Sequence, residues 1–125
     1  MAIYKLFPTK DSTIYSRYPS QNTGLDSIIE TSTDENAKLS RYLIQFSQDE
    51  INSLIDDKIG TSSMQVNLKT YINTIENLNT DTTVEVFPIS NTWNMGTGRF
   101  NDSPQTENGC SWAYRSYSGS NPWVT

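Results

Sequence analysis

The sequence predicts a mainly β fold, an antiparallel β-sandwich with one short amphipathic helix, and three observations predict it. Ser, Thr and Asn fill 43 of 125 positions, and their side chains compete for backbone hydrogen bonds in ways that favour turns, caps and strand surfaces over helix interiors. Several short stretches alternate apolar and polar residues, the period of a half-buried strand. Only one stretch has a helical period.

Taken in order, Met1 to Phe7 alternates loosely through Ile3, Leu6 and Phe7, and Pro8 ends that extended segment by removing a backbone donor. Asp11 to Ser16 reads as a second strand. Pro19 to Asp26 is dense in turn formers and reads as a loop. Ser27–Ser32 and Ser40–Phe46 are rich in strand formers, the latter with Tyr42, Ile44 and Phe46 on one face and Arg41, Leu43 and Gln45 on the other. Thr33 to Lys38 is the polar hairpin loop between them.

The helix is expected over Gln48–Ile59. Ser47 and Glu50 have the spacing of a capping box, and Gly60 is a stop signal. Ile51, Leu54, Ile55 and Ile59 form one apolar stripe, which should pack on a sheet while Asp56, Asp57 and Lys58 face water. Met64, Val66, Leu68, Thr70 and Ile72 then alternate as a long strand. Thr83 to Pro88 give another after a polar turn near Asn79–Asp81, and Ser111–Arg115 is the last clear strand. The stretch from Ser90 onward is mostly loop, and it holds all three tryptophans.

Residues 1–125 are read as one domain with a thin core, because Ile, Leu, Val and Phe total only 26 residues. The 14 aromatic rings implied by the 3 Trp, 7 Tyr and 4 Phe supply the remaining buried area. A net charge of −5 repels phosphate backbones and anionic lipid heads, so neither a nucleic acid nor a membrane is an expected partner. No apolar run approaches the ~18–20 residues of a membrane span, and the N-terminus lacks the pattern of a secretory signal. The chain has no histidine, which removes the Ser-His-Asp and Cys-His constellations and the commonest neutral-pH base and transition-metal ligand. With a single cysteine, no intrachain disulfide or thiolate zinc site forms, and Cys110 is expected to be a buried, inert thiol. No enzyme activity is expected.

The most distinctive segment is Asn91-Thr-Trp-Asn-Met-Gly-Thr-Gly-Arg-Phe100, followed by Asp102-Ser-Pro104 and Gly109-Cys-Ser-Trp-Ala-Tyr-Arg115. With Lys10-Asp-Ser-Thr-Ile-Tyr15, the Asn22-Thr-Gly24 turn and the Arg41-Tyr-Leu-Ile-Gln-Phe46 strand, it resembles the β-sandwich domains of the DNRLRE type. In particular it resembles those of virion structural proteins of tailed, notably marine, bacteriophages. The resemblance runs from about Lys10 to Trp123, and it implies a jelly-roll or carbohydrate-module-like sandwich. Relatives continue into strands that complete the second sheet, whereas this sequence reaches Pro122-Trp-Val-Thr125 first, so the sandwich is expected to be incomplete or completed from elsewhere. The implied role is a virion component of tail, neck or capsid surface, made in the host cytoplasm. It would form a homo-oligomer within the particle and contact other virion structural proteins.

The alternative role is a carbohydrate-binding module for host-surface recognition, with a glycan as partner. Aromatic planes beside polar arms are how a sugar face is built, and protein interfaces favour the same residues. The candidate interface or sugar-binding residues are Trp93, Arg99, Trp112, Tyr114, Arg115 and Trp123. Arg99 or Arg115 is expected to pair with Asp102 or to stack on a ring. Three further readings have less behind them. Gly96-Thr-Gly-Arg99 lacks the ending of a phosphate loop. Asp11, Asp26, Glu30, Asp34 and Glu35 could supply oxygen ligands to Ca²⁺ but lack a calcium-loop spacing. Glu85 with Asp102 could form a carboxylate pair, whose chemistry requires a fixed separation. No cofactor is expected.

Overall fold

In a computed structural model the described residues are 2–33, 36, 38–60, 62–76, 81, 83–124. Strand β1 (Lys10–Tyr15) pairs antiparallel with β3 (Leu39–Gln45), Lys10 opposite Gln45 and Tyr15 opposite Ser40. The short β2 (Ser32–Thr33) lies on the other edge of β3, so the sheet order is β1-β3-β2. A second, two-stranded antiparallel sheet joins β4 (Tyr114–Ser116) to β5 (Asn121–Pro122). The fold is mainly β, as the composition predicts, although both sheets are small.

As an edge strand, β1 would expose unpaired backbone groups. Thr23 covers them with its hydroxyl, which accepts from Thr13 N at 3.1 Å and donates to Thr13 O at 2.7 Å. One side chain thus replaces a strand's worth of pairing at that residue. The apolar core comprises Ile14 from β1, Leu43 from β3, and Trp93 and Cys110 from the long C-terminal loop, with Met95, Trp112 and Trp123 packed against it. The layer opposite the three-stranded sheet is therefore built largely by loops.

The helix forms where its signals lie but changes character midway. Helix α1 spans Gln48–Leu54, and the Ser47 hydroxyl accepts from Glu50 N at 3.2 Å. Ile55–Ile59 then winds as a π-helical turn, closed by Gly60 at φ 61° with its N–H on Ile55 O at 2.6 Å. The apolar stripe is only half-buried, and neither helical piece packs on a strand. The expected docking on a sheet is thus corrected: among the described residues no strand lies beneath the stripe.

Five expected strands are also corrected. Residues 2–8 form no strand, and Ile3 and Phe7 are exposed. Across 27–31, side chains replace a ladder: Glu30 N donates to Thr13 Oγ1, and Thr31 Oγ1 to Ser40 O. At Ser111 the chain turns, with Ser111 N on Tyr114 O and Tyr114 N on Ser111 Oγ, so strand structure begins only at Tyr114. Met64–Ile72 and 83–88 are without strand pairing and exposed throughout their described residues. Alternation favours extended chain there, but a strand requires a partner for its backbone groups. The hairpin loop at 34, 35 and 37 and most of the turn near 79–81 lie outside the described residues. Among those described, no helix is long and apolar enough to cross a membrane.

Candidate functional site

The loops around the core are organised by one buried side chain. Asn22 is fully buried; its Nδ2 donates to Met95 O and Cys110 O, both at 2.8 Å. Its Oδ1 accepts from Gly24 N at 3.2 Å and Gly98 N at 2.8 Å, while its backbone N–H reaches Thr106 O. Every polar group of the carboxamide is engaged, which is what burial of an amide requires. Gly96, at φ 77°, must be glycine for a second reason: a Cβ there would fall on the Asn22 amide.

This knot settles the Gly96-Thr-Gly-Arg99 segment. Gly98 N is held by Asn22, Thr97 N by Asn108 Oδ1 and Arg99 N by Asp102 Oδ2. The amides that a phosphate would need already have partners within the chain.

The six residues singled out in the sequence are dispersed into different roles. Trp93 is in the core, 4% exposed, with Lys10 over its ring at 4.5 Å and bonded to its carbonyl oxygen. Trp112 is half-buried beneath Arg41, whose guanidinium lies 5.2 Å from the ring centre. Trp123 anchors its indole N–H on Ser111 O at 2.9 Å. Tyr114 meets Tyr117 edge to face at 5.1 Å. Arg115 ties Thr92 through both its carbonyl and its hydroxyl. Arg99 donates its guanidinium to Leu25 O, and it is its backbone N–H that reaches Asp102. The expected stacking of an arginine on a ring does occur, but Arg41 and Arg17 supply it rather than Arg99 or Arg115.

Two of the acidic residues considered for calcium, Asp26 and Glu30, are occupied separately. Asp26 receives Phe100 N at 3.3 and 3.2 Å on its two oxygens, and Glu30 accepts the Tyr15 hydroxyl at 3.2 Å. Burial and the neighbouring Glu30 push the Tyr15 hydroxyl well above its ordinary range. No group of three or more metal-capable side chains gathers among the described residues, and Asp34 and Glu35 lie outside them. Glu85 is exposed and outside any strand, and it lines neither the depression that includes Asp102 nor the hollow along the helix.

The arrangement closest to a ligand site lies where the loops after β1 and around residue 100 meet. Tyr18, Gln21, Phe100, Asp102 and Gln105 line a shallow depression of about 240 Å³. The Tyr18 and Phe100 rings meet edge to face at 5.8 Å and 78°, and Tyr15 closes on Phe100 at 5.0 Å. Gln21, 4% exposed, fixes Phe100 by donating to its carbonyl at 2.6 Å. Asp102 Oδ2 accepts from Thr106 Oγ1 at 2.5 Å and Arg99 N at 2.9 Å, which hold its carboxyl below the usual range. A larger hollow of about 330 Å³ runs along the helix between Asp49, Glu50, Ser53, Leu54, Asp57 and Lys58, but it has no aromatic plane.

Sequence reasoning missed Tyr18, Gln21, Phe100 and Gln105 as a set, because Gln21 and Phe100 are 79 residues apart. The signal that was present is local: an aromatic residue just before the Pro19 turn, and another just before the Asp102-Ser-Pro104 turn.

Across residues 2–125 the chain matches the family model for carbohydrate-binding module family 96. No curated protein and no solved structure matches it significantly. With the match spanning almost the whole sequence and the mainly β architecture agreeing with it, the chain belongs to carbohydrate-binding module family 96.

Proposed function

We propose that this protein binds carbohydrate without transforming it, and that the depression between Tyr18 and Phe100 is where a sugar ring rests. The family match over residues 2–125 is the observation that carries this reading. The geometry adds the parts that a sugar requires: ring surface for pyranose C–H groups and polar arms for the hydroxyls. A volume of about 240 Å³ is below the ~300–1,000 Å³ of sites that enclose drug-sized ligands, which suits a single ring held weakly. This reading favours the glycan role over that of a phage structural subunit, whose support is the resemblance alone.

Binding is tested on a glycan array with the full chain, followed by titration of each hit. Tyr18→Ala and Phe100→Ala should each weaken binding at least tenfold while leaving the unfolding midpoint within a few degrees of the parent. Retention of full affinity in both variants would move the site elsewhere, and the absence of any hit would overturn carbohydrate binding.

A further inference from the structure

The Tyr18–Phe100 depression is connected to a second aromatic pair. Gln105, which lines the depression, donates its side-chain amide to Glu107 Oε1 at 2.9 Å. The Glu107 carboxylate also accepts the Tyr117 hydroxyl, and the Tyr117 ring meets that of Tyr114 edge to face, with centroids 5.1 Å apart and planes at 83°. A line of bonded side chains therefore runs from Tyr18 with Phe100 to Tyr114 with Tyr117. The backbone holds the two ends side by side. Ala113 N, next to Tyr114, donates to the carbonyl of Pro19, next to Tyr18, at 2.9 Å, and Asn22 N donates to Thr106 O at 3.1 Å.

The second pair has what a sugar ring needs. When two rings meet edge to face, each presents to its partner only an edge or one face, so ring surface is left uncovered by the contact. Tyr114 and Tyr117 are both half-buried, and Gln105 and Glu107 between the pairs are exposed. A carboxamide has two N–H donors and a carbonyl acceptor, and a carboxylate has about four acceptor positions. After the bonds named above, Gln105 and Glu107 can still both donate and accept. The tryptophans are otherwise engaged: Arg41 lies over Trp112, and Trp123 is bonded to Ser111 O and packed against the core.

Resting on the carbohydrate-binding reading, we propose that Tyr114 and Tyr117 form a second ring platform continuous with the depression, so that the protein binds an extended glycan chain rather than a lone sugar ring. Gln105 and Glu107 meet the hydroxyls of the units between the platforms. A chain that occupies both gives up its translational freedom once, so the second contact adds to affinity at reduced entropic cost.

The test titrates the full chain with cello-, manno- and galacturono-oligosaccharides of one to six units. In each series that binds, the hexasaccharide should be favoured over the monosaccharide by on the order of 50-fold, beyond the about sixfold that six equivalent units give a one-ring site by counting alone. Tyr117→Ala should bring the gap down to about that sixfold level while leaving monosaccharide affinity unchanged. Tyr114→Ala, which spares the bond to Glu107, should do the same and carries the test if Tyr117→Ala does not fold. Tyr117→Phe keeps the ring without the hydroxyl and should retain most of the gap. A parent gap no larger than counting gives, a gap that survives both alanine changes, or a gap that Tyr117→Phe removes as fully as Tyr117→Ala would overturn the second platform and leave the depression standing. Failure of every series and every array glycan to bind would overturn both.

Discussion

Asn22 ties its own turn to two other loop segments, 95–98 and that of Cys110, with a single carboxamide, and the energetic stake lies in what its removal would strand. Asn22→Ala would leave the Met95 and Cys110 carbonyls without their donor, and the Gly24 and Gly98 amides without their acceptor. Each unsatisfied buried group costs ~1–3 kcal/mol, so a loss on the order of 3 kcal/mol or more is expected in denaturant melts. Asn22→Asp should fare no better, because it keeps the shape but turns a carboxylate toward two carbonyl oxygens. Trp93 contributes through packing instead. At 4% exposure, with Lys10 against its ring, its replacement by Ala should cost ~3–5 kcal/mol, and the half-buried Trp112 should cost less. Cys110 combines full burial with a thiol that burial pushes up. Its modification by a thiol reagent should therefore proceed only as fast as the protein opens, matching the unfolding rate measured independently.

At the scale of elements, the loop from Arg99 to Glu107 is held by carboxylates. The Thr106 hydroxyl and then Arg99 N keep the Asp102 carboxyl low, and the Tyr117 hydroxyl and then Gln105 do the same for Glu107. A folded pKa below the unfolded one stabilises above the unfolded value and is lost as pH falls through the folded value. The loop should therefore be held at pH 7 and loosen below about pH 4, read as loss of hydrogen-exchange protection at the Arg99 amide after correction for intrinsic rates. Protection at pH 3 equal to that at pH 7 would exclude this control. The elements differ in how legible they were. β1 and β3 could be read because alternation and ladder coincide, and α1 because Ser47, the stripe and Gly60 are local signals. The 27–31 segment misled because Thr13 Oγ1 and Ser40 O draw its polar groups into side-chain bonds, an outcome that composition does not encode. The candidate site was illegible for a similar reason. The contact between Gln21 and Phe100 depends on the Asn22 knot bringing two distant loops together, whereas the tryptophans that looked like a sugar platform are drawn into or against the core.

For the whole molecule, the balance between buried and exposed apolar surface decides how it behaves in solution. Among the described residues the buried apolar core is Ile14, Leu43, Trp93 and Cys110, whereas Ile3, Phe7, Val66, Tyr71, Ile72, Val86 and Phe87 are each between 68% and 83% exposed. Five of these seven fall in the two alternating segments that lack strand pairing, so apolar side chains and unpaired backbone groups coincide there. Exposed apolar side chains beside unpaired backbone groups recruit other chains, since pairing satisfies the amides while burial removes the side chains from water. The 125-residue chain should accordingly enhance the fluorescence of an apolar dye and scatter light as oligomers at micromolar concentration. Replacing Val66, Ile72 and Val86 together by Thr keeps β-branched shape and strand propensity while reducing apolar character, and should shift the chain toward monomer. The Tyr18–Phe100 depression is built from other loops, so glycan affinity should survive that triple change. A parent chain that is already monomeric and fails to bind the dye would mean that these segments find cover within the molecule, and that the alternation seen in the sequence is satisfied in solution by strand pairing after all.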